Sequence, residues 1–294
     1  MHGISDRRLP ISRRVILALP LSRLMQGRGF GGSALAADVQ REQIAVVERV
    51  DGLTPPLTLG IARVVLLPGA VARAAIPRGA RMIAVESGVL AVAVTAAADE
   101  ALHSRELSAL VPEPDLSDEL FVPAGTTITF GSRGVTSVRN PGVRSVVALD
   151  VVVYHEEPRP MARAFTTEEG ISFQLLASAS AAQAPVGRIA VTLERVRLGN
   201  RAELPADLGA GLTLARVESG SIALRPLAGE VYGARAAASA PYSMPGSLEP
   251  IAADETREVT AGGVVFLPVG TEAAIVNPAQ RPADLMILAL RELG

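Results

Sequence analysis

Cysteine, tryptophan and lysine are absent from this chain of 294 residues, and aromatic residues make up only 3% of it. Without cysteine there is no thiolate nucleophile, no disulfide bond and no lipid-modified N-terminal cysteine. The three histidines are too few to support a Ser-His-Asp triad. Thiol chemistry and triad hydrolysis are therefore excluded, and the scarcity of aromatic platforms disfavours carbohydrate binding.

Residues 1–36 have the order of a secretory signal peptide: positive charge, an apolar run, then small residues. Arg13 and Arg14, followed by Val-Ile-Leu, are similar to the twin-arginine export motif. The apolar run over 15–25 is too short to span a bilayer, so we expect no stable membrane anchor. Cleavage after Ala36 would make the mature protein extracytoplasmic, either periplasmic or secreted. A disordered basic tail is the alternative interpretation.

The charge balance changes when this segment is removed, because six arginines and one aspartate leave with it. The mature chain then has 22 basic and 29 acidic side chains, a net charge of 22 − 29 = −7. We therefore expect no basic surface for nucleic acid or for an anionic membrane. The sequence leaves the oligomeric state open.

The rest of the chain contains an internal repeat. Four short segments of the first half recur in the same order in the second half, at offsets of 127, 132, 145 and 137 residues. Such an order indicates a tandem duplication with loops of different length. The matched segments are 60–63 with 187–190, 85–88 with 217–220, 122–125 with 267–270, and 140–141 with 277–278.

Both halves are rich in short Val, Ile and Leu runs, several of which alternate apolar and polar residues. Gly, Pro and Asn-Pro separate these runs at short intervals, which is typical of strands joined by turns. The pattern predicts an all-β chain of jelly-roll sandwiches or barrels. Helical periodicity is brief, and its best candidates are residues 36–47 and 117–121.

We predict two domains, 57–157 and 184–293, joined by a linker and lead-in strand over 158–183. Two segments, 96–119 and 226–258, interrupt the strand pattern at equivalent places in the two halves. Surface loops are the first interpretation of these segments, and lids over the barrel mouths are the alternative.

A spacing of Gly, Pro and Asn in the second half points to a family. The pattern G-x5-P-x-G-x6-N runs from Gly262 to Asn277 and resembles the second motif of the cupin superfamily. The histidine of that motif falls on Ala273. The resemblance covers residues 57–155 and 184–292 and implies two tandem double-stranded β-helix barrels, similar in layout to germin and oxalate-decarboxylase-like bicupins.

The first cupin motif, G-x5-H-x-H-x3-E-x6-G, keeps its glycines in the first half but loses its metal ligands. Across both motifs the ligand positions hold Ala75, Pro77 and Arg81, then Thr136, and in the second half Asp207, Gly209, Thr213 and Ala273. Thr136 is aligned by assuming eight extra loop residues after Gly125. A cupin metal needs three imidazoles and a carboxylate, whereas alanine has no lone pair and Arg81 is a permanent cation. We therefore expect no metal and no other cofactor.

Arg81 is the first candidate for a ligand-binding residue. If it keeps the strand phase of the family's glutamate it points into the barrel, where a cation without a partner is costly. A loop carboxylate that satisfies it is the simpler interpretation, and a small anionic ligand, with Asp207 and Thr213 contributing, is the alternative. Glu86 and Glu218 recur two residues before a glycine, where we predict a structural role.

Three functions fit these observations. The first is an exported, non-catalytic bicupin that acts as a small-ligand-binding or structural protein. The second is a metal-independent, isomerase-like cupin enzyme acting on a small anionic substrate near Arg81. A metal enzyme with unusual ligands is the third and has the least support.

Overall fold

A computed structural model describes residues 39–50, 53–76, 79–95, 119–130, 134–155, 169–204, 211–235 and 247–293. These residues form strands and turns, and none of them is helical. The predicted all-β fold is confirmed. In this part of the chain no helix is present that could cross a membrane. The predicted signal peptide lies outside the described residues.

The strands are numbered in chain order. Those up to residue 155 are β1 (Val39–Val50), β2 (Leu57–Leu66), β3 (Val71–Ile76), β4 (Gly79–Ser87), β5 (Val89–Thr95), β6 (Leu120–Pro123), β7 (Thr127–Phe130), β8 (Gly134–Arg139) and β9 (Val146–His155). Those from residue 171 onward are β10 (Ile171–Ala181), β11 (Ile189–Leu198), β12 (Glu203–Leu204), β13 (Leu212–Ser219), β14 (Ser221–Ala228), β15 (Val231–Ala234), β16 (Glu249–Ile251), β17 (Arg257–Thr260), β18 (Val264–Leu267), β19 (Glu272–Val276) and β20 (Ala283–Glu292).

Strands β2 to β9 form a jelly roll, which we call barrel 1. One of its sheets has the order β10-β2-β9-β4-β7 and the other the order β3-β8-β5-β6. Without β10, this is the arrangement of eight strands in two Greek keys. All eight strands contribute apolar side chains to one shared interior, among them Leu66, Ile83, Leu90, Phe130 and Val146.

Strands β11 to β20 form barrel 2, which repeats this order. Its sheets are β1-β11-β20-β13-β18-β15-β16 and β12-β19-β14-β17, around an apolar interior of their own. The hairpin of β15 and β16 extends the first sheet beyond β18 and has no counterpart among the described strands of barrel 1. The duplication inferred from short sequence matches is therefore present in the strand order itself.

Hydrogen bonds identify which residues of the barrels are equivalent. The Asn140 side chain donates to the carbonyl of Leu66, and the Asn277 side chain donates to the carbonyl of Leu198. Leu66 and Leu198 thus correspond, at an offset of 132 residues. The sequence match of 60–63 with 187–190 is therefore wrong, because it equates different registers of β2 and β11.

The strand that precedes each barrel in sequence pairs with the other barrel. β1 is antiparallel to β11 of barrel 2, with Val39 opposite Leu198. β10 is antiparallel to β2 of barrel 1, with Ile171 opposite Leu66. The segment 158–183, interpreted from sequence as a linker and lead-in strand, thus contains an edge strand of the barrel 1 sheet. The barrels are joined by this reciprocal exchange as well as by the chain.

Several segments that the sequence predicted to be helix or loop are strands. The helix candidate 36–47 is wrong from Val39 onward, where the chain is strand β1, and residues 120 and 121 of the second candidate belong to β6. The segment 226–258 is not one loop, because β15 pairs with the open edge of β18 and β16 pairs with β15. In each case a strand edge supplies a ladder of backbone hydrogen bonds that outweighs a weak local preference. Residues 96–118 and 236–246 lie outside the described residues.

A third core lies between the two barrels. Along β2, Leu57, Leu59 and Ile61 belong to this shared core, whereas Val64 and Leu66 face the interior of barrel 1. The same division occurs in β4, β9, β11, β13 and β20. Strands that are buried on both faces have near-continuous apolar sequences, which accounts for the Val-rich run of β9.

Candidate functional site

Arg81 and Thr213 occupy the same position in the two barrels. Arg81 of β4 lies opposite Val152 of β9, and Thr213 of β13 lies opposite Ala289 of β20. Both side chains are buried, on the strand face that points into the barrel. They therefore lie in two separate interiors and do not form one site, although the sequence grouped them as candidate ligand-binding residues.

Inside barrel 1, Arg81 forms a two-point ion pair with Asp150 of β9. Arg81 Nε donates to Asp150 Oδ1 at 2.8 Å, and Nη2 donates to Oδ2 at 3.0 Å. The two side chains are only 3% and 2% exposed. The guanidinium carbon also lies 5.9 Å from the centre of the Phe130 ring, within the range of a cation–π contact. The two hydrogen bonds to an opposite charge offset much of the free-energy cost of burying the Arg81 cation.

Sequence reasoning did not identify Asp150. Its signal was a single carboxylate in the middle of the apolar run Val-Val-Ala-Leu-Asp-Val-Val-Val of β9. An acidic residue with apolar neighbours on both sides is costly to bury without a cation. With that signal, Asp150 could have been predicted as the partner of Arg81. The partner thus lies on a strand and not on a loop.

The equivalent positions of barrel 2 do not hold such a pair. Asp150 lies opposite Ile83, the residue two positions after Arg81, and the equivalent residue of β20, Ile287, lies opposite Ala215 of β13. Ile287 and Ala215 both pack in the apolar interior of barrel 2. The ion pair is therefore a feature of barrel 1 and not a requirement of the jelly-roll strand order.

A small cavity lies beside the ion pair. It offers about 10 Å³ to the centre of a water molecule, which is room for about one water. Its walls are Val64, Leu66, Arg81, Ile83, Leu90, Val138, Ala148 and Asp150. This cavity is too small for a molecule the size of a metabolite.

The second cupin-like motif aligns differently from the sequence expectation. The amide of Gly125 donates to the carbonyl of Val85, and the amide of Gly262 donates to the carbonyl of Val217. Gly125 thus corresponds to Gly262, not to Gly270. Asn140 is then 15 positions after Gly125, just as Asn277 is 15 positions after Gly262, so the prediction of eight extra loop residues after Gly125 is wrong.

The corrected register keeps Thr136 and Ala273 as equivalent residues. Thr136 of β8 lies opposite Val94, and Ala273 of β19 lies opposite Pro226. Ala273 is buried. Of the other ligand positions, Ala75 lies on β3, whereas Pro77 and Asp207 lie outside the described residues.

Residues at the cupin metal positions do not fit a metal ion where the structure describes them. Arg81 is a buried cation bound to Asp150, Ala273 has no ligand atom, and Thr213 has only a hydroxyl. Among the described residues, no group of three or more His, Asp or Glu side chains is placed to hold a metal ion.

The two motif asparagines shape the barrels instead. Asn277 Nδ2 donates to the carbonyls of Leu198, Gly199 and Arg281, and its Oδ1 accepts from the amide of Ala279. Asn140 makes the equivalent bonds to Leu66, Arg144 and Gly142. Both side chains are fully or almost fully buried. Each therefore holds a loop against the end of the first barrel strand.

Glu86 and Glu218 belong to an ion quartet with Arg63 and Arg195 at the edge of the core between the barrels. Arg63 Nε donates to Glu86 at 3.1 Å, and Arg195 Nε donates to Glu218 at 3.0 Å. The pairs are also linked across the barrels, Arg63 to Glu218 at 3.9 Å and Arg195 to Glu86. Because each member of one barrel has its counterpart 132 residues later, the quartet follows the two-fold repeat.

No family model and no curated protein matches this chain. Solved structures similar to it include a cupin 2 conserved barrel domain protein from Leptotrichia buccalis, at 10% identity and a TM-score of 0.36, covering 87% of this chain and 90% of that one. AerE from Microcystis aeruginosa is 11% identical with a TM-score of 0.41, over 84% and 98% of the two chains. GK1651 from Geobacillus kaustophilus is 13% identical with a TM-score of 0.39, over 86% and 97%. Similarities at this level carry no conclusion about activity, and the jelly-roll assignment rests on the strand order.

Proposed function

We propose that this chain is an exported, non-catalytic two-barrel protein that acts as a small-ligand-binding or structural protein without a cupin metal site. The proposal rests on how the interior of barrel 1 is filled around Arg81. Arg81, which stands at a ligand position of the metal motif, is bound to Asp150, and the space beside the pair takes about one water. A buried cation that already has a carboxylate needs no anionic substrate to satisfy it.

Barrel 2 supports the same proposal. Its interior is filled by apolar side chains from each of the strands β11 to β20, and Thr213 is the polar residue at the motif position. Close packing of this kind serves stability and leaves function to the outer surfaces and loops.

Metal content of the purified mature protein tests the proposal directly. We expect manganese, iron, copper and zinc all to be far below one atom per chain after expression in metal-supplemented medium. A stoichiometric metal that survives dialysis would overturn the proposal.

The second candidate is a metal-independent, isomerase-like enzyme acting on a small anionic substrate near Arg81. What favours it is the asymmetry of the barrels, since barrel 2 packs without the Arg81–Asp150 pair. A thermal-shift screen of small carboxylates separates the two candidates. Stabilisation of the parent that is lost in the double variant Arg81→Thr, Asp150→Ile would show an anion site at Arg81, which the second candidate requires, and turnover of the stabilising carboxylate would then favour the enzyme. Equal responses of both proteins would favour the non-catalytic role.

A further inference from the structure

Five charged side chains meet at the edge of the core between the barrels. Four are the ion quartet, and the fifth is Arg216 of β13. Each continues a row of apolar side chains that faces the other barrel; Arg195 follows Leu193 and Arg216 follows Leu214, two residues later on the strand. The charges therefore begin where the shared core ends. We call this group the charged seam.

The quartet is neutral by itself, with two arginines and two glutamates that satisfy one another. Arg216 adds a third positive charge and breaks the two-fold repeat. Its counterpart in barrel 1 is Ala84, because Ala84 lies opposite Thr127 and Leu149 as Arg216 lies opposite Val264 and Met286. Barrel 1 thus folds with no charge at this position.

Arg216 has a hydrogen bond but no carboxylate. Its Nη1 donates at 3.1 Å to the carbonyl of Leu176, which lies at the irregularity in the pairing of β10 with β2. No described Asp or Glu lies within ion-pair distance of its guanidinium. Burial and the positive charge of Arg63 lower the pKa of Arg216, and Glu218 acts in the opposite direction. The positive charge of Arg216 is therefore only partly compensated by the described groups around it.

We propose that Arg216, together with Arg63, which reaches Glu218 two residues further along β13, binds a small oxyanion, a carboxylate or phosphate group, at the charged seam. Three guanidinium groups face two carboxylates, which leaves one net positive charge in a place that solvent reaches. Arg216 is half-buried and the side chain of Arg63 is 35% exposed, so a small anion has access to both. A guanidinium fork matches two oxygens of either group. The bound anion relieves the repulsion between Arg216 and Arg63. The site lies outside both barrel interiors and does not depend on the function proposed for them.

Thermal unfolding of the full mature protein with inorganic phosphate tests this site. The melting temperature is measured from 0 to a few millimolar phosphate, with chloride added to hold the ionic strength constant. We expect a saturating rise of about 2–4 °C for the parent at phosphate well above its Kd. A parallel titration with malonate shows whether a carboxylate or a tetrahedral oxyanion is preferred.

The Arg216→Ala variant should lose this rise. It places in barrel 2 the residue that barrel 1 already has at the equivalent position, so the fold accommodates it. Arg225→Gln, at an exposed arginine of β14, is the matched control and should respond like the parent. Phosphate also stabilises proteins by general exclusion, but that effect is not saturable and is shared by all three proteins.

Two results would overturn the proposal. One is a parent that melts at the same temperature in phosphate, malonate and chloride. The other is an Arg216→Ala variant that is less stable in chloride but keeps the full response to phosphate. That result would show that Arg216 stabilises the fold through its hydrogen bond to the Leu176 carbonyl and binds no anion.

Discussion

Arg81 and Asp150 form a bidentate ion pair inside barrel 1, at positions that hold Thr213 and Ile287 in barrel 2. The same strand order thus accommodates a buried ion pair in barrel 1 and two uncharged residues in barrel 2. The difference makes the pair accessible to a direct energetic test, since the chain itself supplies the replacement residues.

Breaking the pair from one side should destabilise the protein strongly. Asp150→Ile leaves the Arg81 cation in an apolar interior without its carboxylate, and we expect a loss of about 3–5 kcal/mol in the free energy of unfolding. The double variant Arg81→Thr, Asp150→Ile installs the residues of barrel 2 and should lose much less than the two single variants together. Urea unfolding of the four proteins gives the coupling energy, and additive losses would contradict the pairing.

Removing a motif asparagine should destabilise its barrel even though no ligand is involved. Asn277→Ala withdraws the amide from the carbonyls of Leu198, Gly199 and Arg281, and we expect a loss of at least about 2 kcal/mol. The exposed residue Asn200 provides the control, since Asn200→Ala removes the same side chain from a solvated turn. Equal melting temperatures for the two variants would show that the hydrogen bonds contribute little.

Acid should remove the contribution of the Glu119–Arg139 pair. Hydrogen bonding from Arg139 lowers the pKa of Glu119 below its ordinary value. A carboxyl whose pKa is lower in the folded chain stabilises the fold above the unfolded pKa of about 4.3, and this contribution disappears as the pH falls through the folded pKa.

The Glu119→Gln variant should therefore be less stable than the parent at pH 7, by about 1 kcal/mol or less because Arg139 is partly exposed. At pH 3 the two proteins should differ much less. Unfolding in urea at both pH values measures the effect. A difference that is unchanged or larger at pH 3 would show that this pair is not responsible.

Export should depend on the arginine pair of the N-terminal segment. Changing both Arg13 and Arg14 to lysine keeps the charge but alters the twin-arginine motif, and we expect uncleaved precursor to accumulate in the cytoplasm. The same changes at Arg7 and Arg8 form the control and should leave export normal. Fractionation followed by immunoblotting distinguishes the two; normal export of the Arg13, Arg14 variant would reject the twin-arginine interpretation.

The sequence alone located the repeated hairpin and its register. Gly88 and Gly220 both have positive φ, at 82° and 74°, and a Cβ at either would come within 2.9 Å of a neighbouring atom. Glycine is required there, so the two copies of Glu-Ser-Gly kept the same letters and the offset of 132 could be read directly. Because the strand is continuous from this turn back to Arg81 and Thr213, their equivalence followed.

Sequence matches at turns whose residues are less strictly required were wrong. Pro123-x-Gly125 resembles Pro268-x-Gly270 in letters, yet Gly125 makes the hydrogen bond that Gly262 makes. Glycines in turns are common enough that a proline two residues earlier does not identify which turn is which. Backbone hydrogen bonds between distant strands identify it, and those bonds are not visible in a local motif.

Local chemistry along the chain was thus sufficient for the two jelly rolls, since Val, Ile and Leu alternation sets the strands and Gly and Asn set the turns between them. Only the tertiary structure decided which distant groups meet. It places Asp150 against Arg81 across 69 residues, exchanges β1 and β10 between the barrels, and brings Arg63, Arg195 and Arg216 to one seam. The reason is physical: strand formation depends on neighbours in sequence, whereas charge pairing and sheet order depend on packing between segments far apart in the chain.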